Sequence, residues 1–252
     1  MSRWIAALAA AFLLLAACTS DAPSPTPEAE PDADELLAEV VTNLREVQTF
    51  RLLIEQTGAS YAFYVSLDEG TTVVGAVMRR GEAQYERPDV MYANVNLRIG
   101  GLPAINVELF ARGANQWFKL AGSNWINFPI AEGFDPGALI QEDRGFSAAL
   151  SKLRSIEYLG RERLVDGTPV YHVRGVADGS VVNELLFDLL SLTQEVTIDV
   201  YISEAQRLPA LLVVTILDTA TEAEPDDTQW RIEVYDVNAP AAFSAPDEAA
   251  RP

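Results

Sequence analysis

Apolar and polar side chains alternate with a period of two in run after run between residues 61 and 235. Tyr61, Phe63, Val65 and Leu67 alternate with Ala62, Tyr64 and Ser66, and Ala93, Val95, Leu97 and Ile99 alternate with Asn94, Asn96 and Arg98. The same pattern returns in Ile105, Val107, Leu109 and Ala111, where Phe110 is the one apolar residue in the other phase. It returns again in Val196, Ile198, Val200 and Ile202, and in Trp230, Ile232 and Val234. Successive strand side chains point to opposite faces, so each run predicts a half-buried antiparallel strand. Gly100-Gly101, Gly113-Ala114-Asn115, Asp166-Gly167 and Asn238-Ala239-Pro240 separate the runs with turn-forming residues.

Three stretches leave this rhythm. Leu37, Val40, Val41, Leu44 and Val47 recur at helical spacing behind Asp34, predicting a capped amphipathic helix near residues 35–48. A turn-rich Phe134-Asp135-Pro136-Gly137 leads into Phe146, Ala149, Leu150 and Leu153, which share a helical face. A third helix, capped by Asp178 or Ser180, would carry Val182, Leu185, Leu186, Leu189 and Leu190. About ten strands with one apolar face and about three helices with apolar stripes predict an α+β fold in which a strongly curved sheet wraps over the helices. Periodicity does not separate a filled concave side from a hollow one.

The first residues are of another kind. Arg3 precedes an apolar run from Trp4 to Ala17, which is too short to cross a bilayer core of about 30 Å. The run ends in Leu15-Ala16-Ala17-Cys18, and Cys18 is the only cysteine in the chain. Small residues before a lone cysteine predict a cleaved lipoprotein signal over residues 1–17 and attachment of the Cys18 thiol to diacylglycerol through a thioether, so that acyl chains such as palmitate anchor the mature protein. Residues 18–34 are rich in Pro, Ala, Ser, Thr and acid and cannot build a core. As extended polyproline they form a tether reaching roughly 40–50 Å. Residues 35–243 are then one domain, and residues 244–252 a flexible tail.

With 37 acidic and 18 basic residues the formal charge is −19. That excludes nucleic acid as an expected partner and leaves attachment to the membrane to the acyl anchor. No second cysteine can form a disulfide with Cys18, so burial alone must stabilise the domain.

The order of short motifs from Gly101 to Thr215 resembles the LppX/LprAFG lipoproteins of bacteria. It runs through Gln116-Trp117-Phe118-Lys119-Leu120, Trp125, Phe134-Asp135-Pro136 and Leu150-Ser151-Lys152-Leu153. It continues with Tyr158-Leu159-Gly160-Arg161-Glu162, Val165-Asp166-Gly167-Thr168-Pro169 and Tyr171-His172-Val173-Arg174-Gly175. The resemblance implies a half-barrel like that of the LolA and LolB carriers, with a hydrophobic cavity that binds acylated lipids or glycolipids and carries them within the cell envelope. It further implies an anchored protein on the extracytoplasmic face of the cell membrane, with an envelope transporter or acceptor as a further partner. No cofactor is expected beyond the lipid cargo. The alternative is a non-catalytic envelope module with a filled core that binds protein.

The expected cavity wall is Val107, Leu109, Phe118, Leu150, Leu153, Leu186, Leu189, Val200, Ile202, Leu212 and Val214, with about one in three facing open volume and the rest packed core. Trp117, Trp125 and Trp230 are amphipathic and suit a cavity mouth or contact with headgroups, with core packing as the alternative, the stronger one for Trp230. His172, the sole histidine, lies in phase with Arg174 and is expected to face solvent or a neighbouring side chain. A metal site has no thiolate pair or second histidine to draw on. Without a Gly-x-Ser-x-Gly elbow or a phosphate-cradling glycine loop, no enzyme is expected.

Overall fold

The structure, a computed structural model, describes residues 30–66, 73–128, 134–186, 190–243 and 245–247. Cys18, the leader and the tether up to Ala29 lie outside the described residues. Pro31–Pro252 form one compact unit that holds the whole sheet and its core.

The chain enters through α1 (Ala33–Leu44), whose Leu36, Leu37, Val40 and Leu44 are buried. Its cap is Asp32 and not the expected Asp34: the Asp32 carboxylate accepts the Glu35 amide at 3.0 Å, while Asp34 and Glu35 occupy the acid-favouring first turn. The helix stops at Leu44, short of residue 48. There the Arg87 guanidinium donates to the carbonyls of Arg45 and Val47, at 2.7 and 3.0 Å, and draws the chain into a strand.

Twelve strands follow: β1 (Thr49–Thr57), β2 (Phe63–Ser66), β3 (Val73–Glu86), β4 (Val90–Ile99), β5 (Ile105–Arg112), β6 (Asn115–Leu120), β7 (Ile126–Asn127), β8 (Arg154–Arg163), β9 (Pro169–Asp178), β10 (Glu195–Ser203), β11 (Pro209–Ile216) and β12 (Thr228–Tyr235). They pair antiparallel in the order β7-β6-β5-β4-β3-β1-β12-β11-β10-β9-β8, with β2 added beside β1 on the same edge of β3. Among the described residues β7 and β8 are free edges, so the curved sheet is a half-barrel that does not close. Both edges are poor templates for further pairing: β7 is two residues long, and β8 breaks register twice against β9.

One face of this sheet carries nearly the whole core, from Phe50, Leu52 and Ile54 of β1 to Leu212 and Val214 of β11 and Tyr171 and Val173 of β9. Two short helices pack on it with α1. These are α2 (Gly145–Ser151) and α3 (Gly179–Val182), each joined to a 3-10 turn, at Pro136–Ile140 and Glu184–Leu186. The first turn doubles back onto α2 through Gly145, whose φ is +54°. A Cβ there would lie 2.3 Å from the Leu139 carbonyl oxygen, so the bend admits only glycine. Leu153 lies beyond the end of α2 and is still buried.

α3 is one turn rather than the longer leucine-rich helix expected. Asp178 makes no cap bond and instead accepts from Arg154 at 3.1 Å. Asn183 accepts the Leu192 amide at 3.0 Å, Glu184–Leu186 form a 3-10 turn, and residues 187–189 lie outside the described residues. The helical elements touch one another, β8, β9 and the near end of β4. None lines the concave face over the far ends of β3, β4, β5 and β6.

Candidate functional site: an apolar cleft on the concave face

Where the helices stop, the sheet holds a cleft of about 310 Å3. Val74, Ala76 and Met78 of β3 form one wall, and Val95, Leu97 and Ile99 of β4 with Ile105, Val107 and Leu109 of β5 form the floor. Phe118 and Leu120 of β6 close the other side, and Phe63 and Phe128 cover the ends. Among the described residues no lining side chain is polar or charged. Strand register produces this lining: Met78 lies opposite Leu97, Val95 opposite Val107 and Leu109 opposite Phe118, so all point to one face. The volume is at the lower end of the range of about 300–1,000 Å3 found for ligand sites. A lining of apolar side chains can exclude water and hold hydrocarbon.

The eleven residues expected on the cavity wall divide by position. Val107, Leu109 and Phe118 line the cleft. Val200, Ile202, Leu212 and Val214 are packed core on the sheet face, and Leu150 of α2, Leu153 just beyond it and Leu186 of the second 3-10 turn are packed core in the helical layer, each no more than 8% exposed. The four sheet residues of the second group share chemistry and strand alternation with Val107, Leu109 and Phe118, and differ in being packed in the main core instead of lining the cleft. Leu189 lies outside the described residues. Ile105, Leu97, Ile99 and Met78 belong to the cleft and were not singled out from the sequence, although the alternation of β4 and β5 already placed three of them on the right face.

Trp117 and Trp125 are not at the mouth of the cleft. Trp117 lies opposite Asn127 and on the other side of the sheet from Phe118, where it packs with Phe110 at 5.7 Å between ring centroids. Trp125 and Phe243 complete this outer cluster, and the Lys119 ammonium sits 5.5 Å from the Trp125 ring centroid. Phe110, the one apolar residue out of phase in β5, is therefore the centre of a second, smaller core on the convex side. Trp230 is buried in the main core.

His172 also faces outward and is only 6% exposed, so its environment is neighbouring side chains and not solvent. Its Nδ1 is 2.7 Å from Glu162 of β8, its Nε2 is 2.7 Å from Asp199 of β10, and its ring stacks on Tyr201 at 4.2 Å. Arg174 donates to the same Asp199 oxygen at 2.8 Å, which raises the pKa of its guanidinium. The cluster ties the edge strand β8 to β9 and β10, and both ring nitrogens of His172 are partnered within it. Among the described residues no group of three or more His, Cys, Asp or Glu side chains could hold a metal ion, and no helix is long and apolar enough to cross a membrane.

The chain is thus a curved open antiparallel sheet with helices packed on part of its concave face and an apolar cleft over β3–β6. The sequence matches the LppX_LprAFG lipoprotein family over residues 32–242, and the chain belongs to that family. Among solved structures it is similar to LprF from Mycobacterium bovis, with 17% identity, 86% of this chain and 98% of that one covered, and a TM-score of 0.62. It is also similar to LppX from Mycobacterium tuberculosis, at 16% identity, 84% and 100% coverage and a TM-score of 0.49. A LolA superfamily protein from Nitrosomonas europaea follows at 9% identity, 87% and 97% coverage and a TM-score of 0.29. Only the first is similar enough to carry an inference, and that inference concerns the fold. No curated protein matches the chain.

Proposed function

We propose that this protein is a non-catalytic lipid carrier, anchored through acylated Cys18 to the extracytoplasmic face of the cell membrane, which holds the acyl chains of a lipid or glycolipid in the cleft over β3–β6. The cleft lined entirely by apolar side chains is the observation that carries the reading. Hydrocarbon exposed to water loses about 0.8 kcal/mol of favourable burial per methylene, and enclosure removes that cost without any chemical step. Release to an envelope transporter or acceptor is then reversible partitioning. Membership of a lipoprotein family agrees with the acylated tether.

The test is to express residues 31–252 without the leader or Cys18, secrete them through the host envelope, purify them without detergent, and extract them for mass spectrometry. About one lipid per chain is expected for a single cleft. A domain that emerges empty and does not take up added phospholipid would overturn the proposal.

A further inference from the structure

The mouth of the cleft is itself apolar. Leu102, in the turn between β4 and β5, is 65% exposed, and Ile105, Leu120 and Ile126 are each about 40–50% exposed. Val107 lies opposite Leu120 and Phe118 opposite Ile126, so Ile105, Leu120 and Ile126 follow one another as diagonal neighbours, about 7–8 Å apart in sheet geometry. Single exposed aliphatic side chains are ordinary on a surface. A row continuous with an apolar interior marks a contact site.

The charge pattern says which contact. The whole chain has 37 acidic residues in 252, yet residues 97–107 and 118–128 contain no Asp or Glu and two cations, Arg98 and Lys119. The nearest acid on β5, Glu108, is neutralised by Lys119 at 3.1 Å, and Arg98 is exposed one residue before the turn. Asp68 and Glu69, between β2 and β3, lie outside the described residues. At physiological ionic strength charges act over about 8 Å. The far ends of eight- to ten-residue strands lie roughly 25–30 Å from this rim, beyond that range. The described segments of this rim, residues 97–107 and 118–128, carry no carboxylate of their own, and Arg98 is their exposed cation.

We propose that the rim formed by Leu102, Ile105, Leu120 and Ile126 is a docking surface for a phospholipid bilayer containing anionic lipid, with Arg98 facing the headgroups. The inference starts from the carrier reading and adds how cargo crosses: the apolar rim meets the acyl region, so a chain passes into the cleft along a continuous apolar path.

The experiment uses residues 31–252, the compact unit that contains the whole sheet, with vesicles of phosphatidylcholine alone or mixed with phosphatidylglycerol. Co-flotation with the mixed vesicles is expected, and weaker flotation with phosphatidylcholine alone. Leu102→Asp combined with Ile126→Asp should reduce partitioning by roughly tenfold or more. Val165→Asp, at the fully exposed β8–β9 turn on a different part of the surface, should leave it unchanged. Melting temperature and extracted lipid are measured on each variant, and both should match the parent. Absence of vesicle binding, or binding indifferent to the rim variants, overturns the docking surface and assigns the patch to a protein partner. Lipid in a domain that does not float leaves the carrier reading standing and removes only the docking. Rim-dependent flotation by a domain that is empty of lipid does the reverse.

Discussion

Val107 and Val200 are the same residue type on the same face of the same sheet, and both are buried. Val107 borders open volume, whereas Val200 lies under the helices and has none beside it. A tryptophan at each position separates the two environments. Val107→Trp should fill the cleft, lowering the lipid recovered per chain with little change in melting temperature. Val200→Trp should overpack the core and cost about 1–3 kcal/mol or more. Calorimetry and lipid extraction on the pair check this directly, and equal destabilisation of both would mean that the cleft is closed in solution.

At the scale of elements, the convex face has its own fastening. After β12 the chain runs back across the outside of the sheet: Asn238 accepts the Gln48 amide at 2.8 Å, Ala242 donates to Gln84 at 3.1 Å, and Phe243 stacks 6.0 Å from Tyr92 and 5.9 Å from Phe110. This strap spans β1, β3, β4 and β5, the strands whose other faces form the cleft or adjoin it. Phe243→Ala should cost about 1–2 kcal/mol, less than a fully enclosed phenylalanine because the ring is packed against the cluster from one side. Hydrogen exchange should rise in β4–β6 before it rises in β9–β11. Uniform loosening would show that the strap does not act locally.

The elements also explain what could be read from the sequence. β4, β5, β10 and β12 alternate cleanly and were legible. β3 is the longest strand and was not. Its register shifts between Met78 and Arg80, so the inward set changes from Ala76 and Met78 to Gly81, Ala83 and Tyr85. The bulge breaks the period of two, and small residues on the inward face weaken the hydrophobic signal. α3 was overestimated for the opposite reason: its leucines have helical spacing, but an Asn183 bond to the Leu192 backbone outweighs propensity.

For the whole molecule, Tyr85 of β3 and Tyr92 of β4 report on integrity at high pH. Burial pushes Tyr85 up to about 12, and burial together with a hydrogen bond to Glu108 does the same for Tyr92. Both values are raised above the unfolded value of about 10, so the stability they contribute is fully present below about pH 10 and is lost as pH rises towards about 12. Denaturant midpoints should hold from about pH 8 to 10 and then fall, with phenolate absorbance appearing in the same interval. Tyr92→Phe should flatten the fall. A midpoint unaffected up to about pH 12 would contradict the burial of both rings.

The sequence by itself determined that the chain is an antiparallel sheet with one apolar face and three apolar-striped helical segments, because periods of two and of 3.6 are local properties of neighbouring residues. It also placed Val107, Leu109 and Phe118 on the inward face. Only the tertiary structure decided which part of that face is covered. Val200 and Leu212 follow the same strand alternation as Leu109, and their fates diverge because they join one packed core with Leu150 and the rest of the helical layer, whereas no helix lines the cleft over β3–β6. Whether a buried side chain meets another side chain or a void depends on where distant segments come to rest, and that is fixed by long-range packing, which no local pattern encodes.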